Sequence, residues 1–233
     1  MSDPKAVVLL SGGLDSTTVA AIAKSEGREL YALTIDYNQR HSTELAAARR
    51  VADLFGIKHR IVLPIDLRLF GGSSLTSDSI SIPKNTALEI IGKEIPSTYV
   101  PARNTIFLSL ALAFAETVSA DEIYIGVSSV DSSGYPDCRE EFITAFEHLA
   151  GIATKQGVES STRLKINAPL QHLSKAETIR RGIELGVDYG LTWTCYAPTD
   201  SALACGQCES CLLRLQGFRE AGVKDPLKYA SAE

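Results

Sequence analysis

A short apolar strand runs directly into a glycine turn and an alanine-rich helical stretch near the start of the chain. The strand covers 6–10, and the turn reads Ser-Gly-Gly-Leu-Asp-Ser. Gly12 and Gly13 lack Cβ atoms, so the turn can adopt unusual dihedral angles and approach a ligand closely. The first turn of the next helix leaves N–H groups without partners, and its dipole favours negative charge there. Because Ser11 and Ser16 add hydroxyl donors, the pattern predicts an anion site built mainly from backbone.

The turn is not a Walker loop, because it contains no lysine and no Gly-Lys-Ser/Thr. It resembles the pyrophosphate-binding loop of the ATP pyrophosphatases, enzymes that cleave ATP between its α and β phosphates. The alternative is a purely structural turn in which Asp15 or Ser16 caps the helix. On the resemblance, the nucleotide would be held by Leu10, Ser11, Gly12, Gly13, Leu14, Asp15, Ser16 and Thr17, with Asp15 also a candidate contact for Mg²⁺.

Composition favours a small-molecule enzyme. The 233 residues carry a net charge of −5, and 45% of them are apolar. A negative chain without long basic runs is unlike a binder of nucleic-acid backbone. We expect no membrane span, because no apolar stretch reaches about 18 residues. The chain enters a strand at once, which leaves no room for a signal peptide, so we expect a cytoplasmic protein whose cysteines are metal ligands or reactive thiols.

Strands and helices alternate along most of the chain. We predict strands at 6–10, 29–35, 60–63, 122–127 and 163–168, and helices at 15–25, 42–55, 104–118, 140–153 and 174–185. Ser42 is the expected cap of the second helix, and Ser174 with Glu177 forms a capping-box sequence for the last. This alternation predicts an α/β fold with a parallel, doubly wound sheet. In such sheets, ligands bind beyond the carboxyl ends of the strands.

Two parts of the chain depart from this alternation. Residues 64–101 contain a Gly-Gly-Ser-Ser run and scattered prolines, so we predict an irregular, mobile lid with a short helix near 87–92. The chain changes character again at Tyr189, after which the cysteines begin. We therefore divide it into an ATP pyrophosphatase-like domain at 1–188 and a zinc-binding segment at 189–233.

Four cysteines follow the pattern Cys-x9-Cys-x2-Cys-x2-Cys: Cys195, Cys205, Cys208 and Cys211. Four converging thiolates with no open position describe a structural zinc site, and Gly206 permits the sharp turn between two of the ligands. The alternatives are an iron–sulfur cluster, although no Cys-Pro follows at the fourth ferredoxin position, and free thiols. The nearby Trp193 would pack against this knuckle or stack on a substrate base.

Further strings fall at the predicted carboxyl ends of strands: Asp-Tyr-Asn-Gln-Arg-His at 36–41, Val-Pro-Ala-Arg-Asn at 100–104, Ser-Gly-Tyr-Pro-Asp-Cys-Arg at 133–139, and Cys-Gly-Gln-Cys-Glu-Ser-Cys at 205–211. With the glycine turn they resemble the 7-cyano-7-deazaguanine synthase family over nearly the whole chain, and that family has an adenine-nucleotide alpha hydrolase-like fold. Asn38 and Ala102 stand where the family usually has glycine. We expect local backbone adjustment at both positions and no loss of activity.

The resemblance implies a ligase that uses ATP and Mg²⁺. ATP would activate 7-carboxy-7-deazaguanine as an acyl adenylate, and ammonia would give the amide. A second ATP would activate the amide oxygen, and loss of AMP would leave the nitrile. The resemblance also implies a homodimer with no direct contact to nucleic acid.

The expected catalytic residues are Asp15, Arg103 and Lys175. Arg103 would meet a phosphate or carboxylate, or else form a surface ion pair. Lys175 would contact phosphate from the first turn of a helix, a position that suits a cation only beside an anion; otherwise it is solvated.

Further residues are assigned to the nucleotide and the substrate. Asp36, Arg40 and His41 would lie near the nucleotide, although His41 could simply begin the next helix. The base pocket would be lined by Asp131, Tyr135, Asp137, Cys138 and Arg139. Cys138 is either a pocket wall or a nucleophile forming a thioester, which an acyl adenylate does not require.

Two other functions fit parts of the pattern. A tRNA-modifying ATP pyrophosphatase, of the thiolation or lysidine type, shares the glycine turn but should carry a basic face or an RNA-binding domain. A catalytically silent zinc-knuckle protein shares the cysteines, but it would have no need for the glycine turn, Asp15, Arg103 and Lys175 together.

Overall fold

A parallel sheet of five strands forms the centre of the protein. The computed structural model describes residues 3–129, 134–159 and 164–230. The strands have the order β3-β2-β1-β4-β5. They are β1 (Lys5–Leu9), β2 (Glu29–Asp36), β3 (His59–Pro64), β4 (Glu122–Tyr124) and β5 (Lys165–Asn167).

Seven helices lie among the described residues: α1 (Leu14–Ser25), α2 (Thr43–Leu54), α3 (Arg103–Val118), α4 (Glu140–Ala153), α5 (Lys155–Glu159), α6 (Lys175–Glu184) and α7 (Glu209–Ala221). Short 3-10 helices occur at Leu67–Leu69, Pro136–Cys138 and Tyr189–Leu191. None of the helices in the described part of the chain combines the length and the apolarity needed to cross a membrane.

Both faces of the central strand β1 are buried, while the edge strand β3 is mostly exposed; helices cover both sides of β1, which confirms the predicted doubly wound architecture. Val7 and Leu9 of β1 pack with α3 and α4 on one face. Val8 and the neighbouring Leu10 pack with α1 and α2 on the other. Alternating side chains of one strand therefore enter two separate cores, as the period of a strand requires.

Several predicted details are wrong. Ser42 occupies the N-cap position of α2, but its side chain makes no capping hydrogen bond. Residues 87–92 form turns and no helix. The predicted strand at 122–127 ends at Tyr124, although the Ile125 N–H still donates to the Asn167 carbonyl of β5 at 2.9 Å. The capping box of α6 is confirmed: the Ser174 hydroxyl accepts from the Glu177 N–H at 3.2 Å, and the Glu177 carboxylate accepts from the Ser174 N–H at 2.8 Å.

The irregular segment at 64–101 is tied to the rest of the protein at several points. Ser73 and Ser74 are fully buried. The N–H of Asn85 donates to the Gln207 carbonyl at 2.8 Å, beside an isolated bridge between Lys84 and Cys208. The segment therefore contacts the cysteine region directly. Its predicted mobility stays a prediction.

The C-terminal residues pack onto the α/β layer. Phe218 of α7 shares a core with Ile179 of α6 and with Leu14 and Ala21 of α1. Arg214 is 1% exposed and forms an ion pair with Asp225 at 2.8 Å. A buried charge pair of this kind depends on both partners being present, so the pair ties α7 to the residues that follow it.

Candidate functional site

The loop between β1 and α1 packs tightly against α2. Gly12 has a φ of 81°, in the left-handed region. A Cβ atom at this residue would lie 2.2 Å from the Ala48 nitrogen and 2.7 Å from the Glu44 carbonyl oxygen. Gly12 therefore serves the approach of α2, a reason different from the ligand contact that the sequence suggested. A Cβ atom on Gly13 would lie 3.3 Å from the Ser11 hydroxyl oxygen. The N-cap position of α1 is occupied by Gly13, and not by Asp15 or Ser16 as predicted.

Hydroxyl groups hold the loop in shape. The hydroxyls of Ser11 and Ser16 lie 3.0 Å apart, and the Ser11 hydroxyl accepts from the Gly13 N–H at 3.3 Å. Thr17 is fully buried, and its hydroxyl donates to the Gly13 carbonyl at 2.7 Å. The Thr17 side chain is thus turned into its own helix, whereas Ser11 is exposed at the mouth of the loop.

Lys175 lies beside this loop, paired with Asp15. Its ammonium nitrogen is 2.8 and 2.7 Å from the two carboxylate oxygens of Asp15. The two side chains are only 13% and 23% exposed. Asp15 therefore supplies the negative charge that a lysine in the first turn of a helix requires. A cation and a carboxylate stand together where the helix α1 begins.

A cavity opens at the carboxyl ends of β1, β2 and β4, directly above the loop. It is lined by residues of the loop, of the strand ends, of α2 and α3, and of the segment before Cys195. The lining residues include Ser11, Gly13, Asp15, Tyr37, Glu44, Arg103, Tyr135, Cys138 and Trp193. A second cavity contains Lys175 and shares Asp15, Tyr135 and Tyr196 with the first. The position is the one expected for a ligand site in a parallel sheet.

Arg103 points its guanidinium group over this cavity from the start of α3. Two of its nitrogens lie 3.4 Å from the Asn104 side-chain oxygen, and the group sits 5.9 Å from the centre of the Phe107 ring. Burial alone would lower the pKa of Arg103, but the neighbouring Tyr37 hydroxyl raises it above its ordinary value. The guanidinium group stays charged at neutral pH and offers the cavity a fixed positive charge.

The 3-10 turn at Pro136–Cys138 is bound to the start of α3. The Asp137 carboxylate accepts from the Asn104 N–H at 2.8 Å, and the Asn104 amide donates to the Cys138 sulfur at 3.1 Å. Asp137 is 6% exposed and does not line the cavity. Its carboxylate supports α3, so its predicted contact with substrate has no geometric support here, while Cys138 and Tyr135 do face the cavity.

Other predicted residues lie away from the cavity. Arg40 donates to the Ser74 carbonyl at 3.3 Å and forms an ion pair with Asp78, within the segment at 64–101. The Asp36 carboxylate accepts from the Asn38 N–H at 3.2 Å. Neither residue lines the cavity, and His41 and the exposed Arg139 do not line it either. Their assigned roles stay predictions, and Asp131 falls outside the described residues.

Asn38 and Ala102 keep left-handed backbone, with φ of 61° and 53°. This is the region that glycine enters at little cost. The chain therefore accepts strain at Ala102 directly before Arg103. Asparagine tolerates this conformation better than alanine does.

Several cavity residues escaped the sequence analysis, Glu44 and Gly126 among them. Glu44 lies in the first turn of α2 on the same face as the buried Ala48 and Val51, and that helical spacing was the signal that could have found it. Burial raises the pKa of Glu44 to about 7, against the opposing effect of Arg103. Gly126 also lines the cavity, and a Cβ there would lie 3.0 Å from the Ser16 nitrogen; no local pattern indicated this approach.

The four predicted metal ligands come together. The sulfurs of Cys195, Cys205, Cys208 and Cys211 all lie within 4.8 Å of one another, and all four residues are buried. The Cys205 and Cys211 sulfurs are 4.0 Å apart; sulfurs around a tetrahedral zinc ion, with bonds of about 2.3 Å, lie about 3.8 Å apart. Gly206 has a φ of 71°, which confirms the predicted sharp turn. The cluster can hold a metal ion.

Backbone N–H groups point at these sulfurs. The Cys205 N–H donates to the Cys195 sulfur at 3.2 Å, and the Cys208 N–H donates to the Cys205 sulfur at 3.3 Å. Trp193 packs in the same cluster, and its indole N–H donates to the Cys195 carbonyl at 3.0 Å. Since Trp193 also lines the cavity and its backbone N–H donates to the Gly12 carbonyl at 2.9 Å, the cluster fixes one cavity wall.

Comparisons with known proteins agree with this arrangement. The chain is 60% identical over 225 residues to the 7-cyano-7-deazaguanine synthase of Desulfatibacillum aliphaticivorans, covering 97% of this chain and 96% of that one. It is 58% identical over 227 residues to the 7-cyano-7-deazaguanine synthase of Geobacter metallireducens, covering 97% and 94%.

The solved structure of NMN synthetase from Francisella tularensis is similar in fold, with a TM-score of 0.50 at 16% identity; the match covers 96% of this chain and 79% of that one. The sequence profile of the family described as queuosine biosynthesis protein QueC matches residues 5–222. With this match and these relatives, the chain belongs to the QueC family.

Proposed function

We propose that this protein converts 7-carboxy-7-deazaguanine and ammonia to 7-cyano-7-deazaguanine, consuming two molecules of ATP and releasing AMP and pyrophosphate. The observation that carries the proposal is the position of the lysine-free loop: the loop, the Asp15–Lys175 pair and Arg103 all border two cavities that share lining residues. The names of the relatives supply the product.

The loop would bind the phosphates of ATP. Ser11 is exposed at its mouth, and the head of α1 offers N–H groups to an anion. Asp15 is the carboxylate that would hold a Mg²⁺ ion, since hard oxygen ligands suit that ion and an ion between phosphates neutralises their charge. Lys175 would then exchange its contact with Asp15 for a contact with phosphate.

Attack on the α-phosphorus turns a poor leaving group into a good one. The carboxylate oxygen of the substrate displaces pyrophosphate and forms an acyl adenylate, and ammonia then displaces AMP to give the amide. In the second stage the amide oxygen displaces pyrophosphate from another ATP. Arg103 would stabilise the negative charge that develops on the transferring group, which is the main demand of such a step.

We also propose that the cysteine cluster holds a structural zinc ion. Four buried thiolates leave no open coordination position, and the cluster orders the wall that contains Trp193. A protein with one zinc ion per chain and no absorbance near about 400 nm supports this; a brown protein would indicate an iron–sulfur cluster instead.

On the family resemblance, the enzyme acts as a homodimer in the cytoplasm, on small molecules and without direct contact to nucleic acid. The net charge of −5 supports the last point. Light scattering coupled to size-exclusion chromatography tests the dimer.

The experiment that tests the function measures pyrophosphate release from ATP with 7-carboxy-7-deazaguanine and ammonium, and separately with tRNA. We expect release that depends on the deazaguanine acid and yields the nitrile by mass spectrometry. Release that requires tRNA and ignores the acid would contradict the proposal.

A further inference from the structure

One carboxyl group in the cavity has no role in the scheme above. Glu44 lies in the first turn of α2 and lines the cavity. Its backbone packs against the phosphate-binding loop: a Cβ atom on Gly12 would lie 2.7 Å from the Glu44 carbonyl oxygen. The residue is only partly exposed. Across the parts of the chain that the structure describes, no donor or cation bonds to its carboxylate, so its oxygens are open to a ligand.

Of the two carboxyl groups that line the cavity, Asp15 and Glu44, only Glu44 has no ion pair among the described residues. Asp15 is engaged with the ammonium of Lys175. Burial raises the pKa of Tyr37 to about 12, so this phenol is neutral. The titratable groups that share the cavity with Glu44 are Asp15, Tyr37, Arg103, Tyr135, Cys138 and Tyr196. Of these, Arg103 is a fixed cation whose charge acts directly on the Glu44 carboxyl.

Both stages of the proposed reaction remove protons from nitrogen. In the first, ammonium loses one proton, its nitrogen attacks the acyl carbon, the bond from that carbon to the AMP oxygen breaks, and the nitrogen loses a second proton. In the second, adenylation of the amide oxygen leaves a C=NH₂⁺ group. Two N–H protons leave, the carbon–oxygen bond breaks with its electron pair on AMP, and the nitrile forms. A proton acceptor must therefore stand beside the nitrogen.

We propose, on the basis of the proposed function, that Glu44 is the general base that removes these protons as the amide and then the nitrile form. The proton passes from nitrogen to a Glu44 carboxylate oxygen and from there to solvent between steps. Adenylation itself needs no such base, because a carboxylate or amide oxygen attacks phosphorus without losing a proton first. This separates the steps that depend on Glu44 from those that do not.

The test compares Glu44→Gln, Glu44→Asp and the control Asp53→Asn, which lies at the exposed far end of α2. For Glu44→Gln we expect acid-dependent exchange of pyrophosphate into ATP within about threefold of wild type. Amide formation and nitrile formation should each fall by about 10²- to 10⁴-fold. In the wild type, the rate of nitrile formation from the amide should fall at acid pH. This fall should be absent from Glu44→Gln and present in Glu44→Asp.

Three outcomes decide against the inference. Glu44→Gln that forms nitrile within about threefold of wild type would overturn it. So would an equal loss of exchange and nitrile formation with an unchanged pH profile, since that pattern indicates a structural role. Wild-type protein without acid-dependent exchange would overturn the proposed function first, before any variant is compared. If Glu44→Gln fails to fold, Glu44→Asp decides instead. Partial activity with a fall at acid pH supports the inference, and a pH profile without that fall overturns it.

Discussion

A Cβ atom on Gly217 would lie 2.5 Å from Cγ of Lys175. The helix α7 therefore passes the stem of Lys175 with no space for a methyl group. Because Lys175 pairs with Asp15 at the head of α1, the helix α7 holds in place the cation that borders the loop between β1 and α1. A glycine in the interior of a helix otherwise weakens it, and this contact explains its presence.

Gly217→Ala should displace Lys175 and reduce turnover while the protein stays folded. The extra methyl group should lower the free energy of unfolding by about 1–3 kcal/mol through overpacking. Pyrophosphate exchange should fall by at least about tenfold if the lysine must reach phosphate, equal to a loss of about 1.4 kcal/mol of transition-state stabilisation. Gln216→Ala, at the neighbouring helix position, is the control and should leave exchange unchanged. Unchanged exchange in Gly217→Ala would contradict the role of this packing.

Asp15 and Lys175 should be energetically coupled. Removing either partner leaves the other charge partly buried and unpaired, whereas removing both does not. In a double-mutant cycle of Asp15→Asn and Lys175→Met, we expect a coupling of about 1–3 kcal/mol in the free energy of unfolding, measured in urea. Each single variant should also lose pyrophosphate exchange. Additive effects on stability would show that the ion pair contributes nothing.

Ala102→Gly should stabilise the protein. Its φ of 53° lies in the left-handed region, which costs a residue with a Cβ about 1–2 kcal/mol. The greater freedom of glycine in the unfolded chain offsets about 0.4–1 kcal/mol of that stabilisation. Asn38→Gly is the matched comparison, since asparagine tolerates its φ of 61°, and it should be close to neutral. Thermal unfolding of both variants shows which substitution increases stability more. A larger increase for Asn38→Gly than for Ala102→Gly would contradict the prediction.

Stability should depend on pH through Glu44. Burial raises the pKa of its carboxyl from 4.5 to about 7 in the folded protein. Between these values the folded state holds a proton that the unfolded state has lost, so this group's contribution to stability falls as the pH rises through the window. Glu44→Gln lacks the effect. Its free energy of unfolding relative to wild type should increase from pH 4 to pH 8, as urea titrations at both values will show; a constant difference would contradict the shift.

Removing a ligand of the cysteine cluster should release the metal. Cys205→Ser should lose the metal ion and unfold at a lower temperature, because structural metal binding is coupled to folding. Cys138→Ser is the control: the Cys138 sulfur accepts from the Asn104 amide and is not part of the cysteine cluster, so this variant should keep full metal content. Metal analysis of both purified proteins gives the answer. Full metal content in Cys205→Ser would exclude the cysteine from the ligand set.

The sequence predicted the elements that depend on local pattern. The alternation of strands and helices, the capping box at Ser174 and the convergence of the four cysteines are all present. Features that depend on distant contacts were missed. Gly12 is needed because the backbone of α2, more than thirty residues further along the chain, packs closely against it. No residue near Gly217 in the sequence indicates that Lys175 passes it.

Side-chain direction explains the remaining differences at the site. Asp137 sits in a family motif, yet its carboxylate turns to the N–H of Asn104 and supports α3. Arg40 follows a strand end, yet it binds the segment at 64–101. Strand-end position predicts which residues lie near the cavity, but the direction of each side chain depends on partners that the sequence does not place.

The central claim is that the amide-lined loop presents the α-phosphorus of ATP for attack. The most direct measurement is chromatography of the nucleotide products after complete conversion of a known amount of 7-carboxy-7-deazaguanine with excess ammonium. We expect AMP and pyrophosphate in equal amounts, each at twice the amount of nitrile formed and with no ADP, because each stage adenylates one oxygen. ADP and orthophosphate in place of AMP and pyrophosphate would contradict it.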